Sequence, residues 1–362
     1  MKLAFAVAFL PLLCGAAQAD SRGTVLSVSR HFFAPASDAS GAPRGISGIV
    51  CAAAKPDGLR ECLVANDEEA FLERVVLSPT TFTPTGRVVS LAPKDDSAIV
   101  GTARAATCPV RSDDSFGKPD TEGLALADGY VYAVGSHSCS GGGKYRPSSF
   151  LLSRFRMAGA GTLDAAGTVE RSWRLADMLV ASDVGAAYGK KKDDGTNVEG
   201  VAVADGLVYA GLRTPLLDNR VVIVTAPVAQ LFAPGVAPLD PSVVRTYRMP
   251  LGPGSGIRDL AALDGGRLLI LSGPTHIQTD VPYRLWLADR ARLNDPPLFL
   301  ANVTPQEDDA GQSPKGRGYG GDRPKAEAVA VLEQSADTIS VLVMYDNVDE
   351  GWPTRMTIRL PR

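Results

Sequence analysis

Repetition constrains this chain more than any other feature. Five stretches of its 362 residues line up: Ile46-Ser-Gly-Ile-Val-Cys51, Thr121-Glu-Gly-Leu-Ala-Leu126, Val198-Glu-Gly-Val-Ala-Val203, Ile257-Arg-Asp-Leu-Ala-Ala262 and Ala326-Glu-Ala-Val-Ala-Val331. Four of them lead through a short turn into a second apolar run. Ala127-Asp128-Gly129 precedes Tyr130–Val134, Ala204-Asp205-Gly206 precedes Leu207–Ala210, and Asp264-Gly265-Gly266 precedes Arg267–Leu271. In the last, Glu333–Thr338 precedes Ile339–Val343. Asp-Gly between apolar runs signals a β-hairpin, because glycine takes positive φ at no steric cost. A unit too small to bury its own apolar face must stack on its copies.

The second residues of the five stretches form a column: Ser47, Glu122, Glu199, Arg258 and Glu327. Its members lie about 60 to 77 residues apart, more than the roughly 40–50 residues of a compact propeller blade, which leaves room for loops. Each unit holds further strand candidates, such as Phe150–Phe155 and Arg220–Val224. Four antiparallel strands per unit is blade architecture. The 37 glycines and 26 prolines, with few aromatics and little helical periodicity, agree with an all-β chain rich in turns. The expectation is one all-β domain over residues 20–362, a β-propeller of five or six blades. A sixth blade would lie around Ile99 or Val180. Gly23–Ser29 would add an outer strand to the last blade and so join the chain ends. A two-sheet sandwich or a linear solenoid would also use short strands, and both stay open.

The first residues read as an export signal. Met1-Lys2 gives a positive start, Leu3–Leu13 is apolar except for Pro11, and Ala17-Gln18-Ala19 is a cleavage pattern, so the mature chain would begin at Asp20. The alternative is lipidation at Cys14, although Leu13 is larger than the residue such a signal wants there. The apolar run is shorter than the roughly 20 residues of a membrane span. Export predicts a secreted or periplasmic location, where thiols oxidise. Four cysteines then remain, Cys51, Cys62, Cys108 and Cys139, and they allow three pairings. Cys51 and Cys62 flank the turn Lys55-Pro56-Asp57-Gly58, which favours Cys51–Cys62 and leaves Cys108–Cys139; buried free thiols are the alternative. Formal charge is −3 for the whole chain and −4 without Lys2, with no basic arm or stripe, which argues against nucleic acid or a membrane surface as partner.

Equivalent positions of successive blades face the central channel together. Glu122, Glu199 and Glu327 would therefore make a carboxylate ring there, joined by Asp120, Asn197, Asp194 and Asp322 just upstream. Oxygen donors in such number suit a hard cation such as Ca²⁺. Lys118, Arg323 and Arg258 bring positive charge to the same neighbourhood, and Arg258 could equally pair with the acids and plug the channel. A second column, at the ends of the second strands, holds His137, Arg213 and His276, with Asp67 and Asp346 in corresponding rows. His and Arg suit an anionic ligand, or they are polar loop ends in solvent. Lys190-Lys-Lys-Asp-Asp194 reads as a solvated charged loop. There is no G-x-S-x-G elbow, H-E-x-x-H pair, P-loop or EF-hand loop.

Asp120-Thr-Glu-Gly-Leu-Ala125, Asn197-Val-Glu-Gly-Val-Ala202 and Gly256-Ile-Arg-Asp-Leu-Ala-Ala-Leu263 resemble an uncharacterised family of secreted proteins, domain of unknown function 3616. More distantly the chain is similar to the esterase-like phytase domain, whose repeats carry a similar acidic-glycine motif. The closer family implies no activity. The distant one implies a calcium-dependent phosphoric ester hydrolase, with Glu122, Glu199 and Glu327 on the metal and Lys118, Arg213 and Arg323 on phosphate. Three readings follow from the sequence. They are a channel that binds a small anionic or cation-bridged ligand, that hydrolase, and a scaffold for an envelope protein partner.

Overall fold

The computed structural model describes residues 23–29, 32, 45–110, 116–159, 161–192, 194–314 and 323–360. The expected export signal, Cys14 and Asp322 lie outside them. The described residues form five antiparallel sheets, each beginning with one of the five repeated stretches. Blade 1 runs outward through Ile46–Cys51, Arg60–Asn66, Phe71–Leu77 and Thr81–Ser90. Blade 2 is Thr121–Ala127, Tyr130–Gly135, Leu152–Gly159 and Glu170–Ser172, with Ile99–Val100 added in parallel at its edge. Blade 3 is Asn197–Ala204, Leu207–Thr214, Val221–Pro227 and Arg245–Met249. Blade 4 is Ser255–Leu263, Arg267–Pro274, Tyr283–Asp289 and Leu298–Val303.

Blade 5 consists of Lys325–Gln334, Thr338–Asp346 and Thr354–Arg359, and its outermost strand is Thr24–Val25 from the other chain end. Two residues later Ser27–Val28 pairs in parallel with the outer strand of blade 1. The N-terminal segment thus closes the last blade, as its sequence suggested, and also clasps the first. The innermost strands touch one another in cyclic order, from Ile46–Cys51 round to Lys325–Gln334 and back. The fold is a five-bladed β-propeller, and the sandwich and solenoid are set aside.

Each blade is apolar on both faces because each face meets a neighbour. Along the second strand of blade 5, Val341 and Val343 pack toward blade 4, while Leu342 and Met344 pack toward blade 1. The same period of two operates at every interface, so five apolar clusters, one per blade pair, share the core. That double burial explains why the strands read as near-continuous apolar runs. The long interval before blade 3 holds the helix Arg174–Val180 in place of a sixth blade. Arg174 is buried and donates to the backbone oxygens of Gln230, Leu231, Ala233, Gly235 and Ala237, tying that insertion to blade 3. Both disulfides form as the hairpin argument expected, Cys51–Cys62 across the blade 1 ladder and Cys108–Cys139 between loops. Among the described residues no helix is long and apolar enough to cross a membrane.

Candidate functional site

A β-bulge recurs at the same place in every blade. In each innermost strand the ladder skips one residue, and the skipped residues are Ser47, Glu122, Glu199, Arg258 and Glu327. A bulged residue leaves the regular in-out alternation, which re-aims its side chain. The column identified from the repeats is therefore the bulge column, turned toward one end of the central channel. The residue after the bulge explains the Glu-Gly pairing. A Cβ at Gly123 would lie 2.6 Å from the Glu199 backbone oxygen, and one at Gly200 would lie 2.8 Å from Leu260 Cγ. Glycine lets neighbouring inner strands close around a narrow axis. Blade 4 carries Asp259 instead, and its buried carboxylate accepts the backbone N–H groups of Leu260 and Val329, both at 2.8 Å. That second bond stitches blade 4 to blade 5.

The bulge column forms an ion-pair network. Arg258 is 2% exposed and donates to Glu199 at 2.6 Å and to Glu327 at 2.5 Å. Glu199 also accepts from Arg213 at 2.8 Å and from the Asn197 amide at 2.8 Å. Burial alone would raise the Glu199 carboxyl, but Arg258, Arg213 and Lys192 outweigh it and hold the pKa down to about 2. The other two glutamates go the opposite way. Burial raises Glu122 to about 7 against the pull of Lys192, and burial raises Glu327 to about 8 against the pull of Arg258. Lys192 is the partner that sequence reasoning missed. Its loop is not simply solvated: Lys192 Nζ lies 2.5 Å from Glu122, with its side chain only 25% exposed. Cys139 bridges to Lys191, so the Cys108–Cys139 disulfide anchors the loop that carries this ammonium. A run of three lysines has no periodicity to distinguish a buried one from its exposed neighbours.

A second tier surrounds the first. The second-strand residue beyond each pre-bulge pair is Asp67, Ser136, Arg213, Gly273 or Asp346. Gly273 makes room, since a Cβ there would lie 2.4 Å from the Tyr283 ring and 3.2 Å from Arg258 Cγ. Ser136 donates to Asp120. Asp67 and Asp346 converge on Gly45, whose N–H donates to Asp346 at 2.9 Å and whose oxygen accepts from Asp67 N at 2.9 Å. Asp67 Oδ1 is buried without a hydrogen-bond partner. Burial, then Glu122 and Asp120, push its pKa well above the usual carboxylate range. Arg258 Nε, Asn197 Oδ1 and Asn347 Nδ2 are also buried and unpartnered.

The remaining candidates lie elsewhere. Lys118 is exposed beside Glu68 at 3.9 Å, and Arg323 and His276 are exposed. His137, one residue past Ser136, is fully buried, with Nδ1 2.8 Å from the Gly135 oxygen and its ring against Phe150. Burial lowers its pKa to about 4, so it is a neutral core residue at neutral pH. Among the described residues no three His, Cys, Asp or Glu side chains are arranged to hold a metal ion. Arg258 bridges Glu199 and Glu327, and Lys192 takes Glu122, so the three glutamates of the ring turn to cations as they stand. At the other end of the channel, Ile49, Leu124, Ala202, Leu260 and Val329 line a hollow of about 140 Å³, their side chains apolar but their backbone groups exposed to it.

No curated protein matches the sequence. Among solved structures, a hypothetical protein from Leishmania major is 10% identical, with a TM-score of 0.41 over 94% of this chain and 91% of that one. An exo-β-1,3-galactanase from Clostridium thermocellum is 10% identical, with a TM-score of 0.44 over 94% of this chain and 62% of that one. A Bacteroides ovatus xyloglucan-locus protein, GH43B, is 11% identical, with a TM-score of 0.43 over 88% of this chain and 52% of that one. The chain thus spans between half and two thirds of the length of the last two, and these likenesses carry no function. A likeness to the esterase-like phytase domain is not shown. The family described as "Protein of unknown function (DUF3616)" matches residues 51–144 and 175–357, which include Asp67, Glu122, Lys192, Glu199, Arg213, Arg258, Glu327 and Asp346, and the chain belongs to that family.

Proposed function

We propose that the charged end of the channel is a recognition site for a small ligand that brings positive charge, its own or that of a bridging cation. The observation that supports this is a surplus of carboxyl groups over cations. Asp67, Asp120, Glu122, Glu199, Glu327 and Asp346 share the mouth with Lys192, Arg213 and Arg258, while Lys325 stands 3.8 Å from Asp346 at the rim. The three inner cations are each committed to a glutamate, which leaves a bare anion little beyond the remaining edge of Arg213 unless it breaks a buried pair. The unpartnered Asp67 oxygen has no such obligation. Calcium enters this reading through displacement of Lys192 from Glu122, because the acids as folded do not converge on a metal. A phosphoester hydrolase would need the pairs of Arg213 and Arg258 to open as well. The two disulfides suit an oxidising compartment, and we place the protein outside the cytoplasm on that ground.

Thermal melting of the mature protein in chelator, in millimolar calcium and in methylammonium tests the reading. Ligand at 100 times its dissociation constant stabilises the fold by about 2.7 kcal/mol. A saturable rise with either cation, lost in Asp67→Asn, supports it. No rise with either leaves the mouth as internal ion pairing and moves the search to protein partners.

A further inference from the structure

The second tier of the mouth is polarised. In a ring of five, the member opposite blade 3 is the seam between blades 5 and 1. Blade 3 contributes Arg213, and the seam opposite contributes Asp346 and Asp67, both gathered on Gly45. The two ends differ in what they leave open. Arg213 donates Nε to the Thr275 oxygen at 2.7 Å and Nη1 to Glu199 at 2.8 Å, while Nη2 makes no hydrogen bond within the described residues. Its side chain is 16% exposed, so the guanidinium is not closed off from solvent. Across the axis, Asp67 holds a buried oxygen with no donor. Lys192 and Arg258 reinforce the positive side through Glu122 and Glu199, and Asp120 reinforces the negative side beside Ser136.

A guanidinium with a free N–H edge is the group of choice for a carboxylate. A buried carboxyl with an unpartnered oxygen, its ionised form disfavoured by burial, is relieved by an N–H donor that also carries charge. Gly273 supplies neither charge nor bulk at its place in the tier, which the Tyr283 ring and Arg258 fill instead. We infer that the mouth takes a zwitterionic ligand, an amino-carboxylate whose ammonium meets Asp67 and Asp346 and whose carboxylate meets Arg213. This rests on the reading above that the mouth binds a small positively charged ligand, and it adds the second charge and its direction. The ligand is thereby a dipole laid across the axis, and its own carboxylate completes the charge that Arg213 presents.

Isothermal titration of the mature protein with ω-amino carboxylates of two to six carbons tests it, beside methylammonium, matched simple carboxylates and calcium. At least one amino-carboxylate should bind tenfold or more tightly than both half-ligands. Arg213→Gln should bring it down to the affinity of the amine alone. Asp67→Asn should bring it down to the affinity of the simple carboxylate. Equal binding of amine and amino-carboxylate overturns the zwitterion and leaves the cation site standing. Binding of calcium alone does the same. Silence from every compound overturns both. Should Arg213→Gln fail to fold, the wild-type series decides by itself, because the comparison of whole ligand with halves needs no variant.

Discussion

At the scale of single residues the mouth makes a pH profile. The Glu122 and Glu327 carboxyls hold their protons more tightly in the folded protein, at about 7 and about 8, than at their ordinary value of 4.5. A rise in pH from 4.5 through 8 therefore removes stability, and the raised Asp67 and Asp259 act in the same sense. Glu199 works in the opposite direction. Its contribution is complete above 4.5 and is lost as pH falls toward 2. His137, lowered from 6.5 to about 4, contributes fully above 6.5 and loses its share as pH falls toward 4. Above 6.5 the histidine is finished and the raised carboxyls govern. The melting temperature should fall between pH 6.5 and 8, and Glu327→Gln should flatten that fall. A melting temperature that is level or rising across this window in the wild type would refute the assignment. The column that yields these groups was legible in the sequence because it repeats. Lys192 and the depth of Asp67 were not, since each occurs once and is buried by a loop or a neighbouring blade rather than by its own strand.

Among elements, the hairpin of each blade was the most legible part. Asp128 and Gly129 take φ of 50° and 77°, and Asp205 and Gly206 take 52° and 72°, the paired positive values that an Asp-Gly turn announces. The bulge one strand length away was not announced. Apolar alternation shows which residues are buried, not which one the ladder skips. The Glu-Gly dipeptide was its trace, and its physical meaning lies in the next blade. Since Gly123 faces the Glu199 backbone oxygen, Gly123→Ala must push two inner strands apart and should cost about 1–3 kcal/mol. Gly117 has open space around its Cβ position and no positive φ, so Gly117→Ala should stay within about 0.5 kcal/mol. Urea unfolding of both variants checks the contrast. Equal costs would mean that the glycine serves the strand's own conformation and not the approach of its neighbour. The same reasoning explains His137, which misses the second tier by one residue: Ser136 holds the place facing the channel, and a one-residue step turns the next side chain into the core.

For the whole molecule, the closure of the ring governs cooperativity. A propeller without closure has two free blade edges, and here one segment of six residues covers both. Thr24 and Val25 pair with Arg355 and Thr354, while Ser27 and Val28 pair with Thr81 and Phe82. Between them Leu26 is 2% exposed, packed in the cluster that blades 5 and 1 share, and its N–H donates to the Pro353 oxygen at 2.9 Å. The pairing to blade 5 could be read from the sequence as a spare strand at the start of the chain. The pairing to blade 1 could not, because it is parallel and only two residues long. Truncation of Leu26 to alanine should cost about 2–5 kcal/mol. Deletion of residues 23–28 should cost more and should act locally. The seam between blades 5 and 1 also carries Gly45, Asp67 and Asp346, so loss of the clasp loosens the negative side of the mouth first. Native-state hydrogen exchange on the deletion variant should show protection lost earliest in Thr354–Arg359 and Thr81–Ser90, with blades 3 and 4 following later. Uniform loss across the five blades would show that the ring opens as a unit, and that the clasp adds to the total without directing where opening begins.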